Sequence, residues 1–217
     1  MAAGCAKRPD PTFPPIVTLE DGTRIRLELI GPADRTDLLA GFDGLSRRSR
    51  YLRFFSAMPT LSTHLVDSLL NTDEHHHVAI GARLIDANGR IEPPIIGVAR
   101  YYRSYGSDDT VEPAVAVVDE LHGRGLGRAL LKAMTRHARS SGIVKMRAHA
   151  LADNDRIRRI LSESNGVLVE RDGPVMVYDV DIRSRRNRDN LVELGKAFRE
   201  PRQETRPNDA TTKQERR

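Results

Sequence analysis

Cysteine is almost missing from this 217-residue chain; Cys5 is the only one. Neither a disulfide framework nor a cysteine-based zinc site can be built within one such chain. A reducing cytoplasm is therefore the expected compartment. Long apolar runs are missing too. None approaches the ~20 residues of a membrane-spanning helix, so no membrane partner is expected. The opening MAAGCAKRPDP has no apolar stretch of the signal-peptide kind, and no export signal is expected. Two familiar phosphate-binding strings are also absent. G-x-x-x-x-G-K-[ST] occurs nowhere. G-x-G-x-x-G, counted from Gly123, fails because Arg128 stands at its last glycine. Aromatic residues make up 5% of the chain, and the basic C-terminal stretch holds only Phe198. With no recognition motif beside it, nucleic acid is not an expected partner.

What remains is a chain that is 39% hydrophobic and 30% charged, with a net charge of +5. That balance suits one folded domain with polar ends and favours anionic ligands. Residues 1–15 carry four prolines and read as a disordered arm. Residues 183–217 hold eleven Lys/Arg and six Asp/Glu. They read as a basic, mostly disordered tail with one short helix at 189–199. Between them, 16–182 reads as the folded domain.

Within that domain, IVTLEDGTRIRLELI reads as a hairpin turning at Asp21-Gly22. Three short helices follow, at about 32–42, 46–55 and 62–70, and then strands at 77–86, 95–103 and 114–118. From Leu126 the apolar residues recur at 129, 130, 133, 134 and 138. That is a 3.6-residue stripe and the strongest helix signal in the chain. Gly142 is its natural stop. A strand at 144–151, a helix capped by Asp153 and a closing hairpin around Asp172-Gly173-Pro174 complete the domain. The expected fold class is α/β in the broad sense: a mixed, mostly antiparallel sheet flanked by helices.

The chemistry centres on VVDELHGRGLGRALL (117–131), where Gly123, Gly125 and Gly127 separate a strand from a helix. Glycine in a helix costs about 1 kcal/mol against alanine, so three at one joint imply a reason. A glycine-rich turn before a helix N-terminus presents unpaired N–H groups and the positive dipole end to an anion. Arg124 and Arg128 add positive charge. A merely tight strand-to-helix joint would use glycines as well, and the hexapeptide alone leaves both readings open.

The string His122-Gly123-Arg124-Gly125-Leu126-Gly127 is similar to the [Q/R]-x-x-G-x-[G/A] signature of the GNAT superfamily of acyl-CoA-dependent N-acyltransferases. His122 departs from it at the Gln/Arg position. RYLRFF (50–55), GVARY (97–101) and VEPAVAVVDELHGRGLG (111–127) further resemble the acetyltransferase domain of bacterial Pat-type protein lysine acetyltransferases. The resemblance implies a GNAT fold with two splayed strands, acetyl-CoA as cosubstrate, no metal, and an amine acceptor that is a protein lysine. It implies that residues 122–128 cradle the CoA pyrophosphate and that the backbone of Val115, Ala116 and Val117 meets thioester and pantetheine. Asn154, at the start of the next helix, would contact the pantetheine arm or nearby backbone. Glu112 would be the general base, with Pro113 after it a departure from the family pattern. The tyrosine acid of many GNAT enzymes is absent, because Leu161 stands in its place. Two other activities fit the same residues: acetylation of a small amine, and silent binding of acyl-CoA as a regulatory module.

Other features point elsewhere. His75, His76 and His77 alternate sides on an extended chain and cannot all grip one metal. Arg53-Phe54-Phe55 and Tyr101-Tyr102 suit either an acceptor channel or the core.

Overall fold

The computed structural model describes residues 10–163 and 165–183. Residues 184–217, and with them the helix expected at 189–199, lie outside the described residues. Eight strands form one sheet: β1 (Ile16–Thr18), β2 (Arg24–Leu29), β3 (His77–Ile85), β4 (Ile91–Arg103), β5 (Thr110–Val117), β6 (Lys145–Leu151), β7 (Val167–Asp172) and β8 (Val175–Asp181). Their spatial order is β1-β2-β3-β4-β5-β6-β8-β7. Every neighbouring pair is antiparallel except β5 and β6. A parallel pair needs a crossover, and here the crossover is the longest helix, α4 (Leu126–Ser140).

The other helices are α1 (Arg35–Asp43), α2 (Arg47–Phe54), α3 (Thr63–Leu70) and α5 (Asp155–Glu163). Ser46 and Ser62 cap α2 and α3 by accepting from the backbone N–H three residues on, each such cap being worth about 1 kcal/mol. α4 lies on one face of the sheet. Its Leu126, Leu130 and Met134 have no exposed surface and join Ile25, Ile80, Val111 and Tyr101 in the larger core. α1 and α3 lie on the other face and enclose a smaller core with Leu38, Val66, Leu70, Ile95 and Val98.

Three sequence expectations are corrected. The arm expected at 1–15 is packed where it is described, because Phe13 is 4% exposed and belongs to the larger core. The ring buries enough apolar surface to hold a proline-rich segment that composition alone reads as loose. Strand β4 begins at Ile91 rather than 95, since Ile91 and Glu92 pair with Ile85 and Leu84 beyond a bulge in β4. That bulge accommodates Pro93 and Pro94, which cannot donate to a regular ladder. The cap of α5 is Asn154, not Asp153: Asn154 Oδ1 accepts from the Ile157 N–H at 3.2 Å.

Candidate active site

β5 is bonded along one edge and open along the other. Val118 N–H donates to Ile96 O at 3.0 Å, and Ser104 N–H donates to Thr110 O at 2.9 Å. Both bonds belong to the register that pairs Ala116 with Val98 and Ala114 with Arg100. Backbone groups alternate sides along a strand, so the even-numbered residues of β5 bond to β4. The odd-numbered ones face β6. Yet β5 and β6 are paired only at Thr110–Lys145 and Val111–Met146. Beyond Val111 they diverge, as β6 turns its other edge to β8 over its whole length. The splay exposes the backbone groups of residues 113, 115 and 117.

This parity corrects one expectation and explains a departure. Of Val115, Ala116 and Val117, only Val115 and Val117 turn backbone groups into the splay; those of Ala116 belong to the β4 ladder. Pro113, odd-numbered, lacks an N–H on the side where β6 has already left. It therefore costs no ladder bond. The Val115 N–H is a donor midway along the splay. Val117 O accepts from His122 Nε2 at 2.9 Å, which folds the glycine turn back onto the strand end.

In that turn, Gly123 has φ +76° and Gly125 φ +90°, backbone conformations that L side chains rarely adopt. Gly125 caps α4 without any side-chain hydrogen bond to the helix's first N–H groups. A Cβ built on Gly125 meets nothing within 4 Å, so the space beside that helix N-terminus is open. Gly127 is buried in the first turn.

Arg124 and Arg128 are not loose charges. Arg124 pairs with Asp21 and donates from Nη2 to Thr23 Oγ1 at 2.5 Å; Arg128 Nη1 reaches Glu20 Oε1 at 2.6 Å. The β1–β2 turn thus straps the N-terminal end of α4. The Thr23 N–H and then Arg124 lower Asp21 to about 2. On the other side, Asp119 accepts from Ser46 N–H at 2.8 Å and from Ser49 Oγ at 3.0 Å, tying α2 to the same turn.

Glu112 stands where the splay begins, one residue past the last β5–β6 pair, and its side chain is more than half exposed. Its Oε1 lies 3.4 Å from Nδ1 of His149 on β6. Sequence reading missed His149. A signal was present, because Arg147 and His149 alternate with Met146, Ala148 and Ala150, which is the pattern of a strand with one polar face. What no local pattern shows is that this face meets Glu112. Cross-strand partners share a face, so Glu112 sits with Tyr102, and Ala114 with Arg100. That face carries a half-open pocket lined by Arg53, Phe54, Arg100, Ala116 and Val118 among others.

The remaining expectations distribute as follows. Asn154 spends its Oδ1 on the helix cap. Leu161 is buried in the larger core. Tyr101 is also core, its hydroxyl 2.9 Å from His137 Nδ1, whereas Tyr102 stacks on His77 at 4.1 Å. His76 pairs with Asp73, and His77 bonds through Nδ1 to Asn71 O. Among the described residues no group of three His, Cys, Asp or Glu is arranged for a metal, and no helix is long and apolar enough to cross a membrane.

A strand splayed from its neighbour, a glycine turn at its end and an uncapped helix N-terminus form one continuous track. Comparison with known proteins shows the family of the chain. Residues 47–166 match the model of the acetyltransferase (GNAT) family, more than half of the chain. This chain belongs to the GNAT acetyltransferase family. It is 29% identical over 167 residues to acetyltransferase Pat of Mycolicibacterium smegmatis, covering 76% of this chain and 48% of that protein. It therefore spans about half the length of that relative. It is 27% identical over 157 residues to an acetyltransferase of Pseudomonas aeruginosa, covering 72% and 82%. In structure it is similar to the GNAT domain of S. lividans PAT, with a TM-score of 0.70 and 26% identity over 81% of this chain and 99% of that one.

Proposed function

We propose that this chain transfers the acetyl group of acetyl-CoA to an amine, the side chain of a protein lysine, in a ternary complex with Glu112 as general base. The observation that carries the reading is the splay. It leaves the Val115 N–H beside an open track that runs from Glu112 to the glycine turn before α4.

The CoA pyrophosphate rests on residues 122–128, where the N–H groups at the head of α4 lack a side-chain cap. The pantetheine runs along the open edge of β5, beside Val115 and Val117, toward the capped start of α5 at Asn154. A lysine amine with a pKa near 10.4 is more than about 99% protonated at neutral pH. Glu112 takes that proton, directly or through one water. The neutral nitrogen attacks the thioester carbonyl, and the Val115 N–H donates to the oxyanion that forms. The C–S bond then breaks. The nitrogen sheds its second proton to water as the neutral amide forms, and the departing thiolate needs little help, since a thiol pKa is about 8.5. Buried Leu161 leaves no hydroxyl acid at the position where many family members have one, and this chemistry does not require it. The single cysteine fits action in a reducing compartment such as the cytoplasm.

Calorimetric titration with acetyl-CoA tests the cradle. We expect micromolar binding, weakened at least tenfold by Gly125→Asp, which puts a carboxylate in the phosphate space. Unchanged affinity in that variant rejects the cradle. Glu112→Gln then tests the base: kcat falls by about 10²–10⁴-fold if Glu112 carries the proton. An unaltered kcat removes it from that role.

A further inference from the structure

Among the described residues two arginines are almost fully buried, and they are treated in opposite ways. Arg83 on β3 is 6% exposed and Arg100 on β4 is 3% exposed. Arg83 is surrounded by carboxylates: Glu28, Asp34 at 2.8 Å and Asp37 at 2.9 Å. Arg100 has none within ion-pair distance among the described residues. Its Nη1 donates to Leu69 O at 2.6 Å and lies 3.4 Å from His77 Nε2. His77 gives its Nδ1 proton to Asn71 O at 3.0 Å, so Nε2 offers only a lone pair. The third partner of Arg100 is the Tyr102 side chain. Every partner is neutral. A cation taken out of water without a counter-ion is one of the most costly placements in a protein, and burial pushes the Arg100 guanidinium down from its ordinary range.

A second cation makes the placement costlier. Arg53 of α2 lines the same pocket as Arg100, with its guanidinium 4.9 Å from the Phe54 ring centroid. It too forms no ion pair with a carboxylate among the described residues. Burial first, and then the charge of Arg100, hold it down at about 10. Glu112 only softens this from a distance, being placed nearer His149. Apart from these two cations the lining is apolar, with Phe42, Leu61, Ile95 and Val118 among it. Ala116 on β5 and Val118 just after it bring the pocket to the strand of the candidate thioester site.

We propose that Arg53 and Arg100 form a carboxylate-binding subsite in this pocket, and that one of the two reactants carries the carboxylate. A planar guanidinium pair matches a carboxylate with parallel charge-assisted hydrogen bonds, and the apolar walls take the methylene chain that leads to it. The carboxylate comes either from an acyl-CoA whose acyl chain ends in one or from an amine acceptor that bears one. The transfer itself is unchanged. The C–N bond forms, the C–S bond breaks, the first amine proton passes to Glu112 and the second to water, CoA leaves as the thiolate, and the distal carboxylate is not consumed. This inference rests on the CoA reading above for the reaction, but not for the arginine pair.

The full chain is titrated calorimetrically with succinyl-CoA, butyryl-CoA and acetyl-CoA. Butyryl-CoA is the neutral control of the same chain length. If the acyl group carries the carboxylate, succinyl-CoA binds at least tenfold more tightly than butyryl-CoA. Arg53→Gln abolishes the preference, and Arg53→Lys, which keeps the charge, retains part of it. If the acceptor carries it, the three esters bind alike. Then 6-aminohexanoate raises the Tm of the acetyl-CoA complex, 6-aminohexanamide does not, and Arg53→Gln removes the shift. Esters that bind alike, with no shift from either amine, overturn the subsite and leave the CoA reading standing. If no ester binds, the CoA reading falls and glutarate alone decides. A Tm rise in the unaltered chain that Arg53→Gln removes keeps the subsite, and no rise ends it. Arg53 is the handle because its partly exposed position tolerates substitution better than that of Arg100.

Discussion

Against one face of the sheet α4 lays Leu126, Leu130 and Met134, none with exposed surface, over side chains from most of the central strands. Against the other face α1, α2 and α3 cover only part of the strands. They leave a pocket in which two arginines lack a carboxylate partner. Even the buried polar groups differ. On the α4 side His137 has Tyr101 on one ring nitrogen and Asp10 at 3.4 Å from the other. On the open side Arg100 makes do with a carbonyl, an imidazole lone pair and a phenol. One face is finished by the chain's own side chains, and the other is built to be completed by something that arrives. A site is drawn from the less packed side of a fold because a closed core has no room for a reactant.

The contrast can be broken first where packing is tightest. Leu130→Ala empties a fully buried position under the sheet and should cost about 2–5 kcal/mol, read as a lower urea midpoint at unchanged slope. A loss below about 1 kcal/mol would mean that the α4 face is as loosely filled as the other. Gly41→Ala sharpens the comparison from the opposite side. A Cβ at Gly41 would lie 2.0 Å from Ile95 O, so α1 must move away from β4. The expected cost is about 1–3 kcal/mol, together with a changed affinity for pocket ligands that Leu130→Ala does not cause. If Gly41→Ala lowers stability but leaves every ligand affinity intact, α1 does not wall the pocket.

The smallest effect is the pH dependence of stability. Burial holds His77 and His137 below the ordinary value of 6.5. The unfolded chain takes up protons at these residues as the pH falls through 6.5, while the folded chain resists. Stability is therefore full above that pH and declines below it. The carboxylates lowered in the fold, such as Asp21 and Asp179, stay ionised until much lower pH and do not contribute in this window. Tm should fall by a few degrees between pH 7 and 5, at about 2–4 °C per kcal/mol. His137→Gln, which can still bond Tyr101, should flatten part of the fall. An equal slope in that variant would assign the decline elsewhere.

Local sequence was legible wherever a feature is made by neighbours in the chain. The α4 stripe, the Asp21-Gly22 hairpin and the glycine turn each follow from spacing, since helix period, turn chemistry and positive φ are properties of a few consecutive residues. Glu112 could be singled out because it lies on the strand that leads to that turn, at the place where the Pat-type resemblance puts a general base. Arg100 and His149 could not. VARYY and MRAHAL read as ordinary strands, and only the cross-strand registers put Arg100 in the pocket and His149 against Glu112. Arg124 and Arg128 looked like free charges because Asp21 and Glu20, which hold them, lie about a hundred residues away.

The sequence by itself thus determined the elements, the family and the place of the glycine turn, because all three are written in short-range spacing. The tertiary structure decided which edge of β5 stays open, why Pro113 is harmless there, how Phe13 joins the core, and that two cations face one apolar pocket. Each of these depends on which strand lies beside which and in what register, and pairing across a sheet joins residues whose separation along the chain carries no local signal.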